Sequence, residues 1–131
     1  AHILAKGTGF AGDHVNLYGE IYNGISEDFD KLVEKSIMVA ETEDVACPMM
    51  ITEVASRVLS QYESPAGRGA DAIAAIGLEY MRNHIANLTE LYKILDSCGS
   101  LSLGMDDYLA SAANQYEGYY YLLTQRVKRG I

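Results

Sequence analysis

Tryptophan is absent from this sequence, and proline and cysteine occur only twice each. So little proline, with no low-complexity or repeated segment, leaves no room for a collagen-like or proline-rich disordered chain. Cys47 and Cys98 stand 51 residues apart. They have neither the spacing of a zinc site nor the density of a disulfide framework, and read as reduced, half-buried thiols. No stretch approaches the roughly 18 uninterrupted apolar residues of a membrane span, and no basic, apolar, small-residue order marks a signal peptide. Positive charge is also scarce: 10 lysines and arginines face 18 aspartates and glutamates, for a net charge of −8. Such a field repels phosphate backbones and disfavours DNA binding by counterion release, whereas it suits cations. The one basic cluster, Arg126, Lys128 and Arg129, falls at the end of the last helical pattern, where it complements a helix dipole. Strand-type alternation is missing as well, so the expected class is all-α.

What the sequence does contain is helical periodicity, over a length of 131 residues that fits a single domain. After Asp13, read as an N-cap, Val15, Tyr18, Tyr22, Ile25, Phe29 and Leu32 recur at spacings of three and four and predict one apolar seam on a helix reaching about Glu41. Pro48 suits a first helical turn, and Ile51, Val54, Ala55, Val58, Leu59 and Tyr62 predict a short amphipathic helix of about fourteen residues. The run Glu63 to Gly69 carries the strongest loop punctuation. A second long helix is expected from Ala70 to Ser97, with Ile73, Ile76, Tyr80, Leu88, Leu91 and Leu95 on one side and Gly99 as its stop. The last helix is expected from Met105 or Asp106, with Leu109, Ala112, Tyr116, Tyr119 and Leu123 inward and Gly130 at its end. Long helices of this kind belong to antiparallel bundles.

The candidate chemistry rests on two of the three histidines and one pair of carboxylates. His2 and His14 are separated by a Lys6-Gly7-Thr8-Gly9 turn, and Asp30 and Glu34, four apart, lie on one helix face. Oxygen ligands with one or two imidazoles suit iron or manganese, although carboxylates at this spacing are also common on solvated faces. Phe29, on the seam beside Asp30, places the pair at the border of the buried side. His84, close to the apolar stripe of the third helix, reads as a core or interface histidine, and the tyrosines as core and interface filling. Gly7-Thr8-Gly9 lacks the Gly-Lys-Ser/Thr ending of a phosphate loop, which excludes that mode of nucleotide binding.

The opening His2-Ile3-Leu4-Ala5-Lys6-Gly7-Thr8-Gly9-Phe10 followed by His14 resembles the Dps mini-ferritins, in which a histidine, Lys-Gly, an aromatic and a second histidine twelve residues on follow in this order. Tyr22-Asn23, Asp30, Leu32, Glu34 and Lys35 resemble the family's Tyr and Asp-x-x-x-Glu-Arg. Asp107-Tyr108-Leu109, Glu117 and Tyr121-Leu122-Leu123 are similar to its last helix. The resemblance implies a ferritin-like four-helix bundle with a short extra helix in the long connection between its second and third helices. The first helix is nearly missing from the sequence, which begins at Ala1, so an upstream stretch is expected. It further implies a cytoplasmic, two-fold dimer assembling into a dodecamer that oxidises Fe(II), preferably with peroxide, and stores the ferric mineral. His2 and His14 of one protomer would hold iron together with Asp30 and Glu34 of the partner subunit.

Three departures accompany the resemblance. One residue more than the family spacing separates His14 from the Asp30/Glu34 pair, which a π-bulge would absorb or which would rotate His14 away. Tyr18 occupies a place where relatives carry a carboxylate, and Ile3 replaces a tryptophan. An alternative function follows from them: a ferritin-like subunit that has lost the metal centre and serves as a structural or interaction protein.

Overall fold

The computed structural model describes residues 1–128. Among these there are four α-helices and no strand, so the all-α class holds. A 3₁₀ turn, His2–Leu4, opens the chain. The backbone becomes helical at Phe10, passes through a π-helical segment, Gly12–Gly19, and continues as α1, Glu20–Ala40. A 3₁₀ turn at Glu43–Ala46 leads to α2, Pro48–Leu59, and the long helices α3, Ala70–Ser97, and α4, Leu103–Val127, follow. No helix among the described residues is long and apolar enough to cross a membrane. Two compact units result: Ala1–Tyr22 with the chain from Pro65 onward, and Asn23–Ser64.

The first unit is organised by α3 and α4. Gly77 approaches Leu123, His84 packs edge-on against Tyr116, and Tyr92 bonds to Asp106, so residue numbers rise on one helix as they fall on the other and the pair is antiparallel. Ala74, Met81, Leu88 and Leu95 are buried at intervals of seven residues, the repeat that keeps one stripe of a helix against its neighbour. Met105, Tyr108, Leu109, Ala112, Tyr116 and Leu123 answer from α4. Four of the five α4 residues expected to face inward are therefore buried, with Tyr119 half-buried beside Tyr116.

Helix ends follow local chemistry. Gly99 takes φ +73°, its N–H donates to the Asp96 carbonyl, and the N–H of Ser100 donates to that of Leu95. This Schellman arrangement explains why Gly99 is the stop. The last helix starts earlier than its apolar pattern implies, because the Ser102 hydroxyl accepts the Met105 N–H at 3.0 Å and caps a first turn that contains Gly104. Its expected terminator, Gly130, lies outside the described residues, as does Arg129.

In the second unit, α2 begins with Pro48 in its first turn, as expected, but ends at Leu59, shorter than the pattern to Tyr62 implied. It buries none of its residues, and its apolar side chains Met49, Val54 and Val58 are exposed. The nearby backbone N–H groups of Met50 and then Met49 favour the thiolate and lower the Cys47 thiol below the ordinary range. Both cysteines are free; Cys47 is half-buried, whereas Cys98 is exposed, contrary to the expectation of two half-buried thiols. At the end of α1, Glu41 adopts φ +56°, and Thr42 caps the next turn by accepting the Asp44 N–H.

Ile73 is only 1 % exposed. Its truncation to alanine should destabilise the protein by about 2–5 kcal/mol through lost burial and a residual cavity. The same change at Ile94, 57 % exposed, should cost well under half as much. Urea unfolding monitored by circular dichroism checks the contrast, which would be wrong if both variants unfolded at the same denaturant concentration.

Candidate metal centre

Around His14 the backbone departs from α-helical pitch. The π-helical segment Gly12–Gly19 has wider turns than an α-helix, so a pattern counted at spacings of three and four cannot be carried through it unchanged. This corrects the expected seam. Leu17, Tyr18 and Ile21 are buried, whereas Val15, Tyr22, Ile25 and Phe29 are exposed. Glycine at position 19 is required by close approach: a Cβ there would stand 2.8 Å from the backbone oxygen of His14. Asp13 is no N-cap either. Its N–H already donates to the Gly9 carbonyl at 2.9 Å, inside the helix, and its carboxylate is engaged elsewhere.

That carboxylate is 5 % exposed at the residue level and meets Arg126 from the end of α4. Nε donates to Oδ1 at 2.8 Å and Nη2 to Oδ2 at 3.1 Å, a two-pronged pair, while Nη1 donates to Asp71 Oδ1 at 2.9 Å. Asp13 first and then Asp71 hold the guanidinium protonated far above any physiological pH. Arg126 lies in the last turn of α4, as expected of a cation at the negative end of a helix dipole, and it also forms a specific three-residue clamp. Nearby, Tyr18 is 4 % exposed and its hydroxyl makes no hydrogen bond among the described residues. Burial, followed by the charge of Asp13, raises its phenol above the ordinary value.

The two candidate histidines come together. Their rings stack at a centroid distance of 4.2 Å with 16° between planes. Phe10 extends the stack on the His14 side at 4.9 Å, and Tyr22 on the His2 side at 5.5 Å. His14 Nδ1 lies 2.8 Å from the His2 carbonyl oxygen. A carbonyl only accepts, so Nδ1 carries a proton, and in the neutral tautomer with this bond the lone pair is on Nε2. The Lys-Gly turn between them is also anchored: Lys6 Nζ donates to the Arg68 carbonyl at 2.9 Å, and Gly7 turns the chain at φ +83°.

Asp30 and Glu34 are exposed and one turn apart on α1. Phe29 is itself 49 % exposed, so the pair does not border a side buried within the chain; the buried carboxylate of this stretch is Asp28. The histidine pair and the carboxylate pair fall in different compact units. Among the described residues, no three histidine, cysteine, aspartate or glutamate side chains gather as a metal-holding group. His84, expected to be a core or interface histidine, is half-buried in the helix pair and lies edge-on to Tyr116 at 4.4 Å. A groove of about 320 Å³ on α3 and α4, lined by Leu88, Thr89, Tyr92, Lys93, Leu109, Ala110 and Ala113, is largely apolar and carries no converging acids. Comparison with protein-family models, with curated proteins and with solved structures returned no match.

Sequence reasoning missed the importance of Asp13, Asp28 and Arg126. The one signal bearing on the first was the spacing after His14, for which a π-bulge was one of two expected outcomes.

Tyr18→Phe removes a buried hydroxyl that gains nothing from the protein, and should be neutral or stabilising by about 1 kcal/mol near neutral pH. Because the folded phenol holds its proton more tightly than the unfolded one, its contribution is present below the ordinary value of about 10 and is lost as pH rises beyond it. Urea midpoints followed from neutral to alkaline pH should therefore fall less steeply in the phenylalanine variant. A variant much less stable than wild type would show that the hydroxyl is in fact bonded.

Proposed function

We propose that this protein is a Dps-like, iron-oxidising and iron-storing subunit whose centre is shared between two protomers. The observation that carries the reading is the histidine pair: two stacked imidazoles, with the His14 tautomer fixed so that Nε2 offers a lone pair. Nitrogen donors of this kind, combined with carboxylates, fit Fe(II) by donor chemistry. Asp30 and Glu34 of the partner subunit supply the carboxylates, and their exposure in the single chain is what an intersubunit role requires. Exposed apolar side chains on α1, Ile25 and Phe29, supply surface that association would cover.

Fe(II) is the substrate. Two Fe(II) ions each give one electron to hydrogen peroxide, which takes up two protons and leaves as two water molecules. His14 would offer the ion a neutral nitrogen, Nε2, and the carboxylates would offset the charge that grows on oxidation. The net charge of −8 favours accumulation of the cation. Twelve such subunits, acting in the cytoplasm against peroxide, would enclose the ferric product and keep it from harmful chemistry. DNA condensation is not part of this reading.

One observation favours a second reading, a structural or interaction subunit without a metal centre: Tyr18, standing where the Dps pattern that the sequence resembles has a carboxylate, is buried rather than presented to a site.

Stopped-flow oxidation of Fe(II) by peroxide separates the two. In the first reading wild type reacts rapidly, and His14→Ala or Asp30→Ala slows it by roughly 10- to 100-fold while light scattering reports an unchanged assembly. Unaltered rates in these variants would refute the site assignment. The second reading requires that anaerobic Fe(II) titration of the wild-type assembly give no stoichiometric binding.

A further inference from the structure

We infer that Arg126 is a positioning residue for the histidine pair, acting through Asp13 on the π-helical segment; this rests on the reading that the pair binds Fe(II). Asp13 immediately precedes His14, and its side chain is only 7 % exposed. Both of its oxygens are held by one guanidinium, whose remaining prong is fixed on Asp71 in the first turn of α3. The π-helical stretch thus has a side-chain tether to both helices of the first unit, placed one residue from the imidazole that it aims.

A tether is needed there because a π-helical backbone is an uncommon state, kept only where surrounding contacts specify it. Gly19 makes the close passage of the His14 carbonyl possible, but a glycine permits a conformation without imposing it. The clamp supplies the imposition. When it is released, residues 12–19 can return to α-helical pitch, which turns His14 away from the His2 ring and breaks the Nδ1–H bond to the His2 carbonyl. Only arginine meets this geometry, since its planar fork spans three carboxylate oxygens in fixed directions and a lysine ammonium does not.

The test uses the full chain, with Arg126→Lys as the main variant because it keeps the positive charge beside buried Asp13, and Asp13→Asn as the second. Magic-angle-spinning NMR of ¹⁵N-histidine protein reads the His14 tautomer without any metal, and anaerobic Co(II) titration reads the affinity. Both variants should retain wild-type helicity and assembly size, lose the pure Nδ1–H signal of His14, and bind Co(II) roughly tenfold more weakly. Persistence of that signal with wild-type Co(II) affinity in Arg126→Lys overturns the inference. His14→Ala is titrated alongside. If it binds Co(II) as wild type does, the metal reading itself fails, and the tautomer signal in Arg126→Lys alone decides the clamp, its loss upholding the clamp and its persistence overturning it.

Discussion

The guanidinium of Arg126 joins three segments that are far apart in sequence, the π-helical stretch at Asp13, the first turn of α3 at Asp71, and the end of α4. Its strength comes from asymmetry of exposure. Asp13 is buried, so losing its partner would strand a charge away from water, whereas Asp71 is 84 % exposed at the side chain and contributes direction more than energy. Around this contact the local irregularities of the first 22 residues become intelligible. Asp13 is drawn in, Gly19 admits the His14 carbonyl, Tyr18 is buried beside the ion pair, and the imidazoles stack.

The stack has its own logic. Phe10, His14, His2 and Tyr22 form a ladder of four rings, so each histidine is supported on both faces and little rotational freedom remains. With Nδ1 of His14 committed to a carbonyl, a single nitrogen is left as donor. Preorganisation of that kind lowers the entropic cost of binding an ion. A solvated pair of surface histidines would have no comparable reason to be fixed.

Legibility from sequence divides along the same boundary. The α3 and α4 pair was legible as two regular helices: Ile73, Leu88, Leu95, Leu109, Ala112, Tyr116 and Leu123 were identifiable and are buried, whereas the expected Ile76, Tyr80 and Leu91 are only half-buried and Ala74 and Met81 take the seven-residue stripe instead. Gly99 and Pro48 announced helix ends by backbone chemistry alone. Periodicity failed where the turn itself changed width. Across Gly12–Gly19 the seam slips, so Val15 and Tyr22 face outward and Leu17 and Ile21 inward. The candidate histidines were legible as residues, and a shared site for them was implied by the resemblance alone, but the tether was not legible. Arg126 pairs with Asp13 across 113 residues, and no local pattern encodes such a partner. Asp30 and Glu34 were legible only as a pair on one face, and they are exposed there.

Association is the central claim, since each centre is proposed to take histidines from one protomer and carboxylates from the other. Co-refolding equal amounts of His2→Ala/His14→Ala protein and Asp30→Ala/Glu34→Ala protein tests it directly. Each parent should be inactive, and a mixed dimer should contain one centre made only of intact residues and one made only of altered ones. Peroxide-driven Fe(II) oxidation by the mixture should then recover to roughly a quarter of wild type under random two-fold pairing. A mixture as inactive as its parents, at undiminished dimer formation, would contradict the shared centre.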